Sequence, residues 1–199
     1  MTALSTTKDR GSFIFHHLDV ALTPEYIAQL SEHNPGWRIE RTADLKLVVM
    51  PPTNSETGNK NFNLATKLGV WNEIRKLGYG FDSSTGFTLP NGAIYASGLA
   101  WVGKERWDAL AQEDRNTFAP LAPDFVLELR SPDQSLSRLT AKMTEYMENG
   151  VRLAWLIDPQ SRQTYVYQEN GVVAVVHFDQ PLTGGEVLPG FELVLDSVL

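Results

Sequence analysis

The sequence predicts a single α/β domain in which a mixed β-sheet is flanked by helices. Helical and strand patterns alternate along the chain, with no repeat, low-complexity tract or linker between them. The length of 199 residues fits one domain. Residues 151–157 are almost wholly apolar, which is typical of a central strand buried on both faces. We place the domain at residues 12–199 and expect residues 1–11, rich in Ser, Thr and charge, to form a disordered tail.

The first elements follow from capping and periodicity. Residues 24–33 predict a helix because Thr23 can cap it and Pro24 suits its first position. Residues 38–50 alternate between apolar and polar side chains and predict paired strands. Residues 57–77 predict a long helix, because apolar residues recur there at helical spacing. These recurring residues are Leu64, Leu68 and Trp71.

The remaining elements are shorter. Asn91-Gly92 is a tight-turn signal, and Gly150 marks the end of a helix. We predict, in order, short strands over 81–102, a short helix over 104–110, a strand over 123–132, a helix over 136–149, the buried strand over 151–157, a hairpin formed by Gln163–Gln168 and 172–178, and a final short segment after 188–191.

The composition excludes several classes of protein. The net charge of −7 argues against a protein that coats nucleic acid through bulk positive charge. The chain has no cysteine, so disulfides, zinc–thiolate sites and thiol nucleophiles are excluded. Residues 1–11 lack the apolar core of a signal peptide, and no apolar run approaches the roughly 20 residues that span a bilayer. We therefore expect a cytoplasmic protein with no membrane partner.

The strand over 123–132 carries charged side chains on one face. Because alternate residues of a strand share a face, one side holds Asp124, Val126, Glu128 and Arg130, and the core side holds Phe125, Leu127 and Leu129. Such a face is unusual unless it lines a site or open water. Lys142 lies about 90° from the centre of the apolar stripe of the next helix, from where it could reach Glu128. A carboxylate on a strand with a nearby lysine is typical of metal-dependent nucleases.

Several motifs together resemble a bacterial family of restriction-endonuclease-like proteins with the PD-(D/E)XK nuclease fold. Any one of them alone would be weak, but they follow the family's order over most of the chain. The matching stretches are Glu40-Arg41-Thr42-Ala43-Asp44, Met50-Pro51-Pro52, Glu56-Thr57-Gly58-Asn59, Ser83-Ser84-Thr85-Gly86-Phe87, Leu89-Pro90-Asn91-Gly92, residues 123–132, Lys142-Met143, Asn149-Gly150-Val151, Trp155-Leu156-Ile157-Asp158-Pro159 and Leu188-Pro189-Gly190-Phe191.

The resemblance implies a set of site residues. In such nucleases an Asp and a Glu on adjacent strands hold Mg²⁺, and a Lys stabilises charge or assists proton transfer. The second carboxylate matches Glu128, the lysine matches Lys142, and an acid near the N-terminus matches Glu40. The first carboxylate normally precedes the Trp-Val pair that matches Trp101-Val102. Gly98 stands in its place.

Each of these residues also has an ordinary structural interpretation. Lys142 could extend from the helix border into water, Glu40 alone would be an ordinary surface acid, and Gly98 could mark a bulge or a close backbone approach. Arg130 is expected to pair with Glu128, and it either clamps a phosphate or only holds that carboxylate in place. Arginine stays protonated above about pH 12, which excludes a role as general base.

Other acids and the histidines are weaker candidates. Asp124 lies four residues from Glu128, about 13 Å along a strand, whereas a metal–oxygen bond is about 2 Å long. We therefore interpret Asp124 as a residue that starts the strand. Nothing in the sequence places Asp82 or Glu105 in the site. The four histidines, His16, His17, His33 and His177, show no ligand spacing.

Two functions remain open from the sequence. The first is a Mg²⁺-dependent nuclease, with Mn²⁺ as an alternative metal, for which DNA is favoured over RNA as the substrate and the choice between them stays open. In it Glu128 and Glu40 hold the metal, Lys142 stabilises charge, Arg130 contacts substrate, and Gly98 weakens catalysis. The second is a catalytically inactive pseudonuclease that serves as a binding or assembly module. By analogy with nucleases of this fold, we expect a homodimer.

Overall fold

The computed structural model describes residues 5–9, 12–16 and 18–199. Within this part the chain forms a mixed α/β domain with two six-stranded sheets and one two-stranded sheet. Of the expected disordered tail, residues 5–9 form a strand, and residues 1–4, 10 and 11 lie outside the described residues, as does His17. None of the described helices is long and apolar enough to cross a membrane.

The described elements follow the chain in this order. The helices are α1 (Pro24–His33), α2 (Ser55–Arg75), α3 (Lys104–Asp108), α4 (Gln112–Arg115) and α5 (Leu136–Glu148), with a 3₁₀ turn at Leu195–Ser197. The strands are β1 (Ser5–Asp9), β2 (Ser12–His16), β3 (Arg38–Arg41), β4 (Leu47–Met50), β5 (Gly78–Phe81), β6 (Gly86–Thr88), β7 (Ile94–Ala96), β8 (Leu99–Gly103), β9 (Phe125–Leu129), β10 (Leu153–Asp158), β11 (Gln163–Gln168), β12 (Val173–His177), β13 (Pro181–Thr183) and β14 (Glu192–Val194).

The first sheet has the strand order β1-β2-β4-β3-β7-β6 and is antiparallel throughout. Helix α1 packs against β3. The side chain of Thr23 accepts a hydrogen bond from the backbone N–H of Tyr26 and caps α1, as predicted. The small core beneath the helix consists of Leu22, Ile27, Ile39, Leu47 and Ile94. This packing fixes β3, the strand that carries Glu40.

The second sheet has the strand order β12-β11-β10-β9-β8-β5, and only its β9–β10 pair is parallel. Its central strands β9 and β10 are buried on both faces. Phe125, Leu127 and Leu129 of β9 pack in a cluster that includes residues of α2, and Val126 packs on the opposite side with residues of α5. Every residue of β10 is buried, which confirms the predicted central strand.

Some boundaries differ from the sequence prediction. Helix α2 begins at Ser55 because the Asn54 side chain accepts a hydrogen bond from the backbone N–H of Thr57. Gly78, the residue after the predicted end of that helix, belongs to β5, and a Cβ atom there would lie 2.2 Å from the carbonyl oxygen of Val102. Helix α4 and the β13–β14 hairpin were not predicted. The strands that the sequence predicts lie in two sheets rather than in one. Strand pairing depends on contacts between distant segments, which a local pattern does not show.

Candidate active site

Three buried charged residues meet where the two sheets and α5 approach one another. Glu40 lies on β3 in the first sheet, Glu128 on β9 in the second, and Lys142 on α5. Glu40 and Glu128 are 3% and 2% exposed, and the side chain of Lys142 is 11% exposed. Helix α5 buries Leu139 and Met143 against the sheet, so the lysine at the margin of this stripe points inward rather than into water.

The ammonium group of Lys142 joins the two carboxylates. Its Nζ atom donates hydrogen bonds to Oε1 of Glu40 at 2.7 Å, to Oε1 of Glu128 at 2.9 Å and to the carbonyl oxygen of Ala96 at 2.8 Å. An ammonium group has three donors, and these contacts use all of them. The backbone N–H of Ala96 also donates to Oε1 of Glu40 at 3.2 Å. The structure thus brings together the three residues that the sequence singled out.

Arg38 supplies a second cation that the sequence analysis did not identify. Its Nε atom lies 3.6 Å from Oε1 of Glu40, and its guanidinium lies 4.0 Å from Oε2 of Glu128. The guanidinium also donates to the sulfur of Met50 at 3.1 Å. Arg38 and Glu40 are two residues apart on β3 and therefore share a face. That spacing is the signal that could have revealed Arg38 once Glu40 was proposed.

The surrounding charges keep Glu40 and Arg38 ionised. Burial opposes ionisation of Glu40, but Lys142 and Arg38 outweigh it and hold the pKa of this carboxyl below its usual value. Burial likewise disfavours the charged form of Arg38, but Glu40 and Glu128 outweigh it and raise the pKa of the guanidinium. Two cations therefore face two carboxylates in a buried site. Such a cluster is stable only while both signs are present.

Two tyrosines flank the Lys142 ammonium group. Nζ lies 5.0 Å from the ring centre of Tyr95 and 5.6 Å from that of Tyr146, within the range of cation–π attraction. Burial, followed by nearby carboxylates, raises the pKa of both phenols. Both tyrosines therefore stay neutral and cannot add a third negative charge near Glu40 and Glu128.

A cavity of about 600 Å³ opens beside Glu128. Arg38 and Gly98 line it next to this carboxylate, and Trp37 lies in its wall with 42% of its surface exposed. The other described lining residues include Met50, Pro51, Pro52, Asn61, Ser83, Ser84, Phe118, Ser131 and Asp133. A second pocket of about 30 Å³ is lined by Glu40 and Lys142 on the other side of Arg38. Glu128 is therefore the carboxylate next to the larger space.

Gly98 lies against the strand that carries Glu128. A Cβ atom at this position would be 2.8 Å from the carbonyl oxygen of Leu127 and 3.7 Å from the Cα of Glu128. A Cβ atom so close to a backbone oxygen requires the strands to shift. The glycine thus marks a close backbone approach, which was the alternative to a lost ligand. A close backbone approach and a lost metal ligand are both consistent with Gly98, because the close contact between the two strands places this residue beside Glu128.

Among the described residues, no further acid joins Glu40 and Glu128 in a metal-binding group. Within residues 5–9, 12–16 and 18–199, no group of three or more His, Cys, Asp or Glu side chains is arranged to hold a metal ion. Asp82 instead accepts hydrogen bonds from Ser84 and Thr85 in its own turn. The oxygen atoms around Lys142 Nζ that could bind a metal belong to the carboxylates of Glu40 and Glu128 and to the carbonyl of Ala96.

The expected ion pair between Arg130 and Glu128 is wrong. Strand β9 ends at Leu129, so the alternation of faces does not extend to Arg130. Its guanidinium donates to Oδ2 of Asp158 at 2.9 Å and to the carbonyl oxygen of Gln134 at 3.0 Å. Glu128 is neutralised by Lys142 and Arg38 instead.

Asp124 has the role expected of the residue that starts the strand. Its Oδ2 atom accepts a hydrogen bond from the backbone N–H of Gly103 at 2.8 Å, and Oδ1 accepts one from Arg106 at 2.7 Å. These contacts tie the start of β9 to the end of β8. Asp124 makes no described contact with Glu128 or Lys142.

Buried carboxylates on strands, in contact with a lysine, are typical of restriction-endonuclease-like nucleases. The sequence model of the family Uma2, described as "Putative restriction endonuclease", matches residues 23–196, and the chain belongs to this family. Proteins of the restriction-endonuclease-like class generally use divalent metal ions. The search of curated proteins returned no match.

One solved structure has the same fold. It is described as a "putative nuclease belonging to DUF820" from Anabaena variabilis, and it superimposes with a TM-score of 0.72. The alignment covers 89% of this chain and 97% of the other, with 17% sequence identity. At that identity the similarity establishes the fold alone. It agrees with the predicted restriction-endonuclease-like architecture.

Proposed function

We propose that the protein is a Mg²⁺-dependent endonuclease that hydrolyses phosphodiester bonds of DNA rather than RNA, with Mn²⁺ as an alternative metal. One observation carries the proposal. The Lys142 nitrogen lies within 2.9 Å of oxygens from both Glu40 and Glu128, and Glu128 lines a cavity large enough for a ligand. Membership of a nuclease family supports phosphodiester hydrolysis as the reaction class.

The donor set fits a hard divalent cation. Mg²⁺ prefers oxygen ligands and is commonly held by one or two carboxylates together with water. Glu128 would hold the ion from the side of the larger cavity, and Glu40 would assist directly or through water. When bound, such a metal polarises a phosphate oxygen and activates water. The fit is incomplete because Gly98 offers no carboxylate beside Glu128.

The remaining residues orient and neutralise charge. Lys142 fixes both carboxylates and supplies positive charge where negative charge develops during hydrolysis. Arg38 faces the same cavity and replaces Arg130 as the proposed phosphate contact, because the Arg130 guanidinium is already bonded to Asp158 and Gln134. Five donors in a planar guanidinium suit a phosphate.

The glycine at position 98 sets an expectation for the rate. Removing even an outer partner of a metal ligand typically lowers affinity or activity about 10- to 100-fold. The loss of a direct ligand should cost at least as much. We therefore expect cleavage to be slow and to require high metal concentrations.

A second candidate is a pseudonuclease that keeps the fold as a binding or assembly module. Two observations favour it. The Lys142 ammonium uses all three of its donors on the oxygens that a metal would need. The contact between position 98 and the carbonyl of Leu127 leaves little room for a side chain. On this alternative, the cluster is a structural ion network.

Cleavage of supercoiled plasmid in Mg²⁺, Mn²⁺ or EDTA separates the two candidates. The nuclease proposal predicts slow nicking by the wild type that requires metal and is lost in Glu128→Gln. Glu148→Gln is the control, since it removes an exposed carboxylate from the same helix as Lys142. Cleavage that persists in Glu128→Gln would indicate a contaminating enzyme. No cleavage by any variant favours the pseudonuclease.

We also propose a homodimer, because nucleases of this fold act on two strands with two paired sites. Sedimentation velocity over a range of protein concentrations tests this directly. A strictly monomeric profile at every concentration would contradict it.

A further inference from the structure

We infer that the cavity beside Glu128 takes a single nucleic-acid strand separated from its complement, with Trp37 stacking on a base and Arg38 binding the phosphate. The inference rests on the proposed phosphodiester hydrolysis and adds the form of the substrate. Three features of the cavity carry it: the depth of the reacting groups, its size and charge, and the exposed tryptophan.

The reacting groups are deeply placed. Glu128 is 2% exposed, and the side chains of Lys142 and Arg38 are 11% and 22% exposed. A phosphate in an intact duplex lies on a stiff, wide rod, so it contacts protein at open surfaces or in shallow clefts. To reach a carboxylate this deeply buried, the phosphate must enter on a flexible strand. Enzymes that act on a base in an enclosed pocket likewise bind single strands or extrude the nucleotide from the duplex.

The size and charge of the cavity agree with a short segment of one strand. Its volume of about 600 Å³ is that of a small-molecule site. Duplex-binding proteins commonly make about 6–10 phosphate contacts with basic residues. Among the described lining residues Arg38 is the only cation, while Asp133 adds a second negative charge to that of Glu128. One guanidinium suits one phosphate, not the two backbones of a duplex.

Trp37 provides a surface for a base. It lies next to Arg38 in sequence, lines the cavity and remains 42% exposed. The backbone N–H of Trp37 donates to the carbonyl oxygen of Asn34 at 3.1 Å, which anchors the loop before β3. Pro51 and Pro52 also line the cavity. Bases of single strands stack on such aromatic side chains with little preference for sequence.

Fluorescence anisotropy of the full-length protein with labelled poly-dT and with a duplex of equal length tests the inference. The titrations are run in EDTA, so that binding is measured without cleavage. We expect the single strand to bind more tightly than the duplex. Trp37→Ala should weaken single-strand binding about 5- to 150-fold, the range for losing one stacked base. Trp37→Phe should retain most of the affinity.

Phe62→Ala is the matched control. It removes a 70% exposed aromatic side chain from α2, outside the residues that line the cavity, and should leave binding unchanged. Equal or tighter binding of the duplex, unchanged binding by Trp37→Ala, or no binding of either probe overturns the inference. Metal-dependent cleavage of the labelled single strand, measured beside plasmid cleavage, tests the proposed function separately. Nicking of duplex with no effect of Trp37→Ala would support the nuclease function and refute the single-strand site. Tight single-strand binding without cleavage would support the single-strand site and refute the nuclease function.

Discussion

Replacing Lys142 by methionine should destabilise the protein strongly, although the side chain lies at a helix border. The substitution keeps an unbranched side chain but removes the ammonium that joins Glu40 and Glu128. Both carboxylates are then left buried, at 3% and 2% exposure, and the cation that remains near them among the described residues is Arg38, at 3.6 and 4.0 Å. Removing one partner of a buried ion pair typically costs about 3–5 kcal/mol.

That cost is large compared with the usual stability of a domain, about 5–15 kcal/mol. For a chain of this length each kcal/mol lowers the melting temperature by about 2–4 °C, so the expected drop is about 6–20 °C. Urea unfolding followed by tryptophan fluorescence gives the free energy directly. The measurement is made in EDTA, so that metal cannot compensate for the missing cation.

The pH dependence should also change sign. In the wild type the pKa of Glu40 lies below its ordinary value of 4.5. This carboxyl therefore contributes stability above that pH and loses its contribution as the pH falls through the lowered pKa. In Lys142→Met, the ammonium no longer offsets the burial of the two carboxylates. Protonation of a buried carboxylate removes its charge and so lowers the free-energy cost of burying it. The variant should therefore become more stable as the pH is lowered from about 8 to about 5.

Lys104→Met is the control for this experiment. Lys104 pairs with Asp108 at 2.7 Å, but the two side chains are 57% and 41% exposed. Exposed pairs contribute about 0–1 kcal/mol. If Lys142→Met differs from Lys104→Met by less than about 1 kcal/mol, or keeps the pH profile of the wild type, the electrostatic reasoning about the site is wrong.

Three further substitutions test the packing around the site. Gly98→Ala should destabilise by about 1–3 kcal/mol, because its Cβ meets the carbonyl of Leu127 at 2.8 Å. Gly69→Ala should instead stabilise by about 0.5–1 kcal/mol, since it lies within α2 and a Cβ there contacts nothing within 4 Å. Arg130→Met should lower the free energy of unfolding by about 3–5 kcal/mol, because it removes the ion-pair partner of Asp158, whose buried side chain is 1% exposed. Urea unfolding measures all three, and equal effects of the two glycine substitutions would contradict the packing argument.

Local signals in the sequence predicted most of the individual elements. Helix α1 begins after its Thr23 cap, and the apolar run around β10 is buried throughout. The division of the strands between two sheets was not predictable in the same way. The pairing of β3 with β7, for example, depends on residues more than 50 positions apart, Arg41 and Ile94. Alternation of apolar and polar side chains indicates a strand, but it does not determine which other strand pairs with it.

The site shows the same division between local and distant information. Glu128 and Lys142 belong to adjacent elements, and their approach was predicted from strand and helix periodicity. Glu40 was predicted as a site residue from the family resemblance. Arg38 was not predicted, because its contact with Glu128 joins two different sheets. The predicted ion pair between Arg130 and Glu128 is absent among the described contacts, because the alternation of faces was extended one residue beyond the end of β9.

The proposed hydrolysis requires above all that Glu128 binds the metal. Titration calorimetry of the wild type, Glu128→Gln and Glu148→Gln with Mn²⁺ and Mg²⁺ measures this binding. The proposed mechanism predicts weak binding by the wild type and by Glu148→Gln, and none by Glu128→Gln. Equal binding by all three proteins, or no binding by the wild type at millimolar metal, would contradict it.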